Sequence, residues 1–95
     1  MTRTIELPRV SEPGGGVGGL WRVVVLNDEF NTFDHVAETL ARVVPGVTLA
    51  HGYRLADRIH HEGLAIVWSG PREEAAGYWQ ALDEAGLSMA PLECS

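Results

Sequence analysis

The chain contains no lysine, a single cysteine at position 94, and no apolar run approaching 18 residues. Each scarcity removes a class of function. Seven arginines stand against 13 acidic side chains, for a formal charge of −6. Without clustered cations to displace counterions from a phosphate backbone, nucleic acid is not an expected partner. A lone cysteine one residue from the end forms neither an internal disulfide nor a thiolate metal cluster. The lack of a long apolar run argues against a membrane span or a signal-peptide core, so the cytoplasm is the expected location. With 95 residues, one self-standing core is what fits.

Residues 1–20 carry Pro8, Pro13 and a glycine-dense run over 14–19. That composition has too few packing groups to offset its ordering entropy, and it reads as a flexible N-terminal extension. No Gly-Lys-Ser/Thr follows the glycines, which excludes a phosphate loop. Residues 21–95 are the expected folded core.

Within that core, residues 21–26 are apolar and β-branched on both faces, the pattern of a buried strand. Asn31 and Thr32 are both good helix N-caps, and Phe33, Val36, Ala37, Leu40 and Val44 recur at helical spacing, which predicts a first helix over about 32–44. Pro45-Gly46 breaks it. Thr48 caps a second helix whose buried side is expected to carry Leu49, Tyr53, Ala56, Ile59 and His60, with Gly63 as its stop. A second strand over 64–68 follows. A third helix starts near Pro71, with Glu73 and Glu74 favoured by the dipole, and ends near Gly86. A single last strand is expected over about 87–92. The order β-α-α-β-α-β predicts an α+β fold, a small three-stranded antiparallel sheet packed with three helices.

Chemistry concentrates in two places, the strand end Asn27-Asp28 and the helix end Ile59-His60-His61-Glu62-Gly63. A protonated α-amino group has three N–H donors, and an amide oxygen, a carboxylate and a neutral imidazole nitrogen converging on it would distinguish a chain's start from its middle. Taken separately, each signal has an ordinary explanation. Asn-Asp is a common turn pair, and a histidine in a last helical turn interacts well with the helix dipole.

Together, in this order and over residues 21–93, the segments resemble the ClpS adaptor family, whose members bind the first residue of a protein and hand it to a Clp protease. The resemblance implies a non-enzymatic adaptor without a cofactor. Asn27 and His60 would contact the free amine, and Asp28 would add charge. Asn31, Phe33, Val36, Ala56 and Ile59 would line a pocket for a hydrophobic first side chain, worth roughly 1.5–3 kcal/mol when filled. The family's pocket-gating methionine aligns with Ala56, which implies a roomier or differently shaped mouth. Phe33 stands where methionine is frequent, and Asn31 where threonine is. Glu73 matches a partner-docking position for a ClpA-like or ClpC-like unfoldase, while a nearby family lysine is replaced by Tyr78.

Two rival readings belong to other classes. A small metal-dependent hydrolase would use His60, His61, Asp28 and Glu29, but adjacent helical residues point about 100° apart and cannot share one ion without distortion. A plain protein-interaction module would resemble the C-terminal domain of the ribosomal stalk protein in fold alone, but that domain's surface is usually Lys-rich and this chain has no lysine.

Overall fold

The computed structural model of the protein describes residues 19–94. The expected extension therefore lies, but for its last two residues, outside the described part. The elements are β1 (Trp21–Leu26), α1 (Phe33–Val43), α2 (Leu49–Glu62), β2 (Leu64–Gly70), α3 (Arg72–Glu84), β3 (Ser88–Met89) and β4 (Glu93–Cys94). The class is α+β, with an antiparallel sheet and three helices. None of these helices is long and apolar enough to cross a membrane.

Helix boundaries follow local chemistry. Thr32 accepts a hydrogen bond from the His35 backbone N–H at 3.0 Å, and Thr48 accepts one from His51 at 3.1 Å. Each satisfies a donor that the first helical turn leaves unpaired. Gly63, at φ +92°, closes α2 in the left-handed conformation, its N–H bonded to the Ile59 carbonyl. Pro71 is the N-cap of α3, so β2 runs two residues further than expected, through Gly70.

The last strand departs from expectation. Instead of one segment over 87–92, two short pieces pair with the same edge of β1. Val25 and Leu26 oppose Met89 and Ser88, whereas Trp21 and Arg22 oppose Cys94 and Glu93. The register slips by one residue between them. Pro91 lies in the gap and has no N–H to donate, which breaks the ladder there. The sheet therefore has four strands, with β1 central.

All three helices cover one face of that sheet. Val23 and Val25 of β1 and Ala65 and Val67 of β2 join Leu40 and Val44 from the α1 end, Leu55 and Ile59 of α2, and Ala75 and Leu82 of α3 in one buried cluster. Leu64 and Ile66 alternate to the other face and stay about half exposed, as the two-residue period of a strand requires. The buried side of α2 is also rotated from the expected one. Gly52, Leu55, Ala56 and Ile59 are buried, while Leu49 is half exposed and His60 exposed.

Gly52 explains that rotation. A Cβ there would stand 2.4 Å from the Ala37 carbonyl oxygen, so α2 presents the side without one to α1 and the helices approach closely. Gly52→Ala should force them apart and destabilise the protein by about 1–3 kcal/mol, the usual cost of overpacking. Urea unfolding of the variant beside the parent checks this, and an unchanged midpoint would contradict it.

Candidate functional site

At the open end of β1, a pocket of about 210 Å³ forms between the strand, the β1–α1 loop and the two helices that follow. Sites for drug-sized ligands usually measure about 300–1,000 Å³, so this one suits a single amino-acid side chain. Its deeper walls are apolar. Val25, Ala56, Ile59 and Leu87 are buried and Val36 half-buried. Its polar groups include Asn27, Asp28, Asn31 and His60, from the strand end, the loop and α2.

Two of these are brought together by one backbone contact. The Asn27 N–H donates to the Gly63 carbonyl at 2.9 Å, so the antiparallel pairing of Leu26 with Leu64 continues one step beyond the sheet. His60 lies three residues before that cap. Its exposed ring stands edge-on to Phe33, with centroids 5.4 Å apart. Among the described residues, neither the Asn27 carboxamide nor the His60 ring has a hydrogen-bond partner. Both are left with acceptor capacity facing solvent beside an apolar hole.

Asp28 is in the opposite condition. Its Oδ1 accepts from the backbone N–H of Phe30 at 2.9 Å and of Asn31 at 2.8 Å. Its Oδ2 accepts from Asn31 Nδ2 and from the Ser88 hydroxyl, both at 2.7 Å. Four donors occupy the lone-pair positions of one carboxylate, which ties the loop to itself and to β3. Partial burial alone would raise the Asp28 carboxyl. The bonds from the Asn31 backbone, Ser88, the Asn31 side chain and Phe30 outweigh it and hold the group at about 2, against 3.8 ordinarily. Asp28 thus brings a negative charge to the pocket wall while its oxygens are engaged in holding the loop.

All eight residues anticipated for the amine and pocket line this one cavity. Glu73 does not. It lies exposed in the first turn of α3, on the helix where Tyr78 packs edge-on against Trp68 at 4.9 Å. Leu87 and Ser88 also line the pocket and escaped the sequence reading. They arrive from the far end of the chain through the pairing of Leu26 with Ser88, and no local pattern announces that. Among the described residues, no three His, Cys, Asp or Glu side chains gather as a metal site would require. The rings of His60 and His61 stand 88° apart, and His61 is paired with Asp57 of its own helix.

Residues 18–95 match the family model described as "ATP-dependent Clp protease adaptor protein ClpS". The chain belongs to the ClpS family. An adapter protein ClpS from Nostoc sp. is 53% identical over 75 residues, covering 79% of this chain and 77% of the relative. One from Synechocystis sp. is 51% identical over 73 residues, with 77% and 74% covered. The solved structure of Agrobacterium tumefaciens ClpS2 bound to L-phenylalaninamide superposes with a TM-score of 0.71 at 28% identity, covering 81% of this chain and 98% of that one. The ClpS fold thus accounts for the β1–α1–α2–β2 frame around the pocket, and Clp protease adaptors are the functional class.

Because the folded value of Asp28 lies below the unfolded one, its ionised form contributes stability that is fully present above about pH 4 and lost as pH falls toward about 2. Asp28→Asn should lower stability at neutral pH by about 1–3 kcal/mol, since an amide cannot accept all four bonds. In urea unfolding, the gap between parent and variant should narrow as pH falls to about 2. A gap of constant size would show that the carboxylate does not hold the loop.

Proposed function

We propose that this ClpS-family chain is a non-enzymatic adaptor that binds the free α-amino group and hydrophobic first side chain of a substrate protein. It then delivers that protein, in the cytoplasm, to a ClpA-like or ClpC-like unfoldase. The observation that carries the reading is the pair of unpartnered acceptors, Asn27 and His60, beside an apolar pocket sized for one side chain. An ammonium group needs acceptors from more than one direction, and a neutral imidazole nitrogen with a carboxamide oxygen supplies two. The negative charge of Asp28 favours the cation at short range. Glu29, also in the lining, adds a second.

The ligand of the Agrobacterium relative supports the same reading, because L-phenylalaninamide carries a free amine beside an aromatic side chain. Here Ala56 is 3% exposed and forms a wall, while Phe33, 42% exposed, stands beside His60. The larger residue thus lies toward the mouth and the smaller within. Delivery would use the α3 surface around Glu73, and on the same helix Tyr78, packed edge-on against Trp68, takes the place of a cation.

Peptides that begin with Phe or Leu should bind, and N-acetylated copies should lose at least about tenfold in affinity, because the acceptors would face no charged donor. Asn27→Ala and His60→Ala should each weaken the free peptide while hardly affecting the residual binding of the acetylated one. Fluorescence anisotropy with labelled peptides reads both effects. Equal affinity for free and acetylated peptides would overturn the proposal.

A further inference from the structure

Asn31 is a polar side chain in a mostly apolar wall, and its bonds dictate which end of its carboxamide is left over. Nδ2 carries two hydrogens. One is donated to Asp28 Oδ2 at 2.7 Å and the other to the Gly86 carbonyl at 3.0 Å. Both partners are acceptors only, so a flipped amide would set oxygen against oxygen at each contact. The orientation is therefore decided by the partners. Asp28 is itself held by Phe30, the Asn31 backbone and Ser88, and Gly86 belongs to the turn between α3 and β3.

The remaining atom, Oδ1, has no donor among the described residues and is not among their buried, unsatisfied atoms. It belongs to a half-buried residue of the pocket wall, on the side anchored to the α3–β3 turn. The imidazole of His60 comes from a different element, α2. Oδ1 of this lining residue is thus an unengaged acceptor that the α-amine sites do not include. A wholly apolar side chain covering that oxygen strips it of water and returns no bond, whereas a side chain with an O–H restores one.

We infer that Asn31 Oδ1 is a specificity-determining acceptor for the first side chain, one that biases the pocket toward a phenol, so that tyrosine is favoured over phenylalanine. The inference rests on the amine-pocket reading above and adds to it a chemical class of side chain. Asp28 and Gly86 act as positioning groups for that oxygen.

The test compares free-amine peptides identical except for a first residue of Tyr, Phe or 4-methyl-Phe, the last matching the phenol in length without its donor. With the unaltered protein, Tyr should bind roughly tenfold more tightly than either of the others, the equivalent of one restored hydrogen bond. In Asn31→Ala the three affinities should come within about twofold of one another, the Phe peptide serving in the same preparation as the measure of an intact pocket. Equal affinities for Tyr and Phe in the unaltered protein would overturn the inference, as would a Tyr advantage that survives Asn31→Ala. Failure of all three peptides, free and acetylated alike, would overturn the amine-pocket reading and this inference with it.

Discussion

The hydrogen bond from the Asn27 backbone N–H to the Gly63 carbonyl is the constraint on which the site depends. It joins the end of a strand to the end of a helix 36 positions away in sequence, where two side chains with acceptors left over line the same pocket. The bond needs the α2 stop to be in the left-handed region, which a glycine reaches without a Cβ penalty. It also needs β1 and β2 to be in register, which Val25 with Ala65 and Leu26 with Leu64 establish. Once both conditions hold, His60 is carried to the pocket at the strand end without a hydrogen bond of its own.

A division of labour follows among the polar residues. Asn27 and His60 are held by backbone geometry and keep their side chains unengaged. Asp28 and Asn31 have theirs engaged in one another and in the chain segment that returns after α3. His35 adds to the same tie, its Nε2 lying 2.9 Å from the Ala85 carbonyl. The loop before α1 is thus fastened to the α3–β3 turn by side chains and to α2 by backbone. Charge-assisted bonds of this kind are the stronger sort, and they hold a pocket wall that otherwise has little apolar support, since Glu29, Phe30 and Thr32 are all exposed.

Much of this was legible in the sequence because it is local. Helical spacing, Thr32 and Thr48 as caps, Pro45-Gly46 as a break and Gly63 as a stop place both early helices within a residue or so of their observed bounds. The order of elements then points to one sheet with helices against it. What was not legible depends on contacts between distant segments. Pro91 divides the last strand only because both of its halves face β1. The buried side of α2 turns toward Gly52 only because the Ala37 carbonyl lies there. Periodicity placed Leu49 and His60 inward, and close helix packing turned them out.

The candidate site divides along the same line. Residue type and order alone determined that an amide, an acid and an imidazole would be available beside aliphatic residues, since those are properties of single side chains and of spacing. Tertiary structure decided which of them are unengaged. Asp28, read from sequence as a charge beside the amine, has its oxygens occupied by Phe30, Asn31 and Ser88, while Asn31, read as a wall, is left with one oxygen unengaged. The physical reason is that a lone pair is available only if no donor lies within reach. Where the donors lie is settled by how the chain's far end folds back onto its beginning.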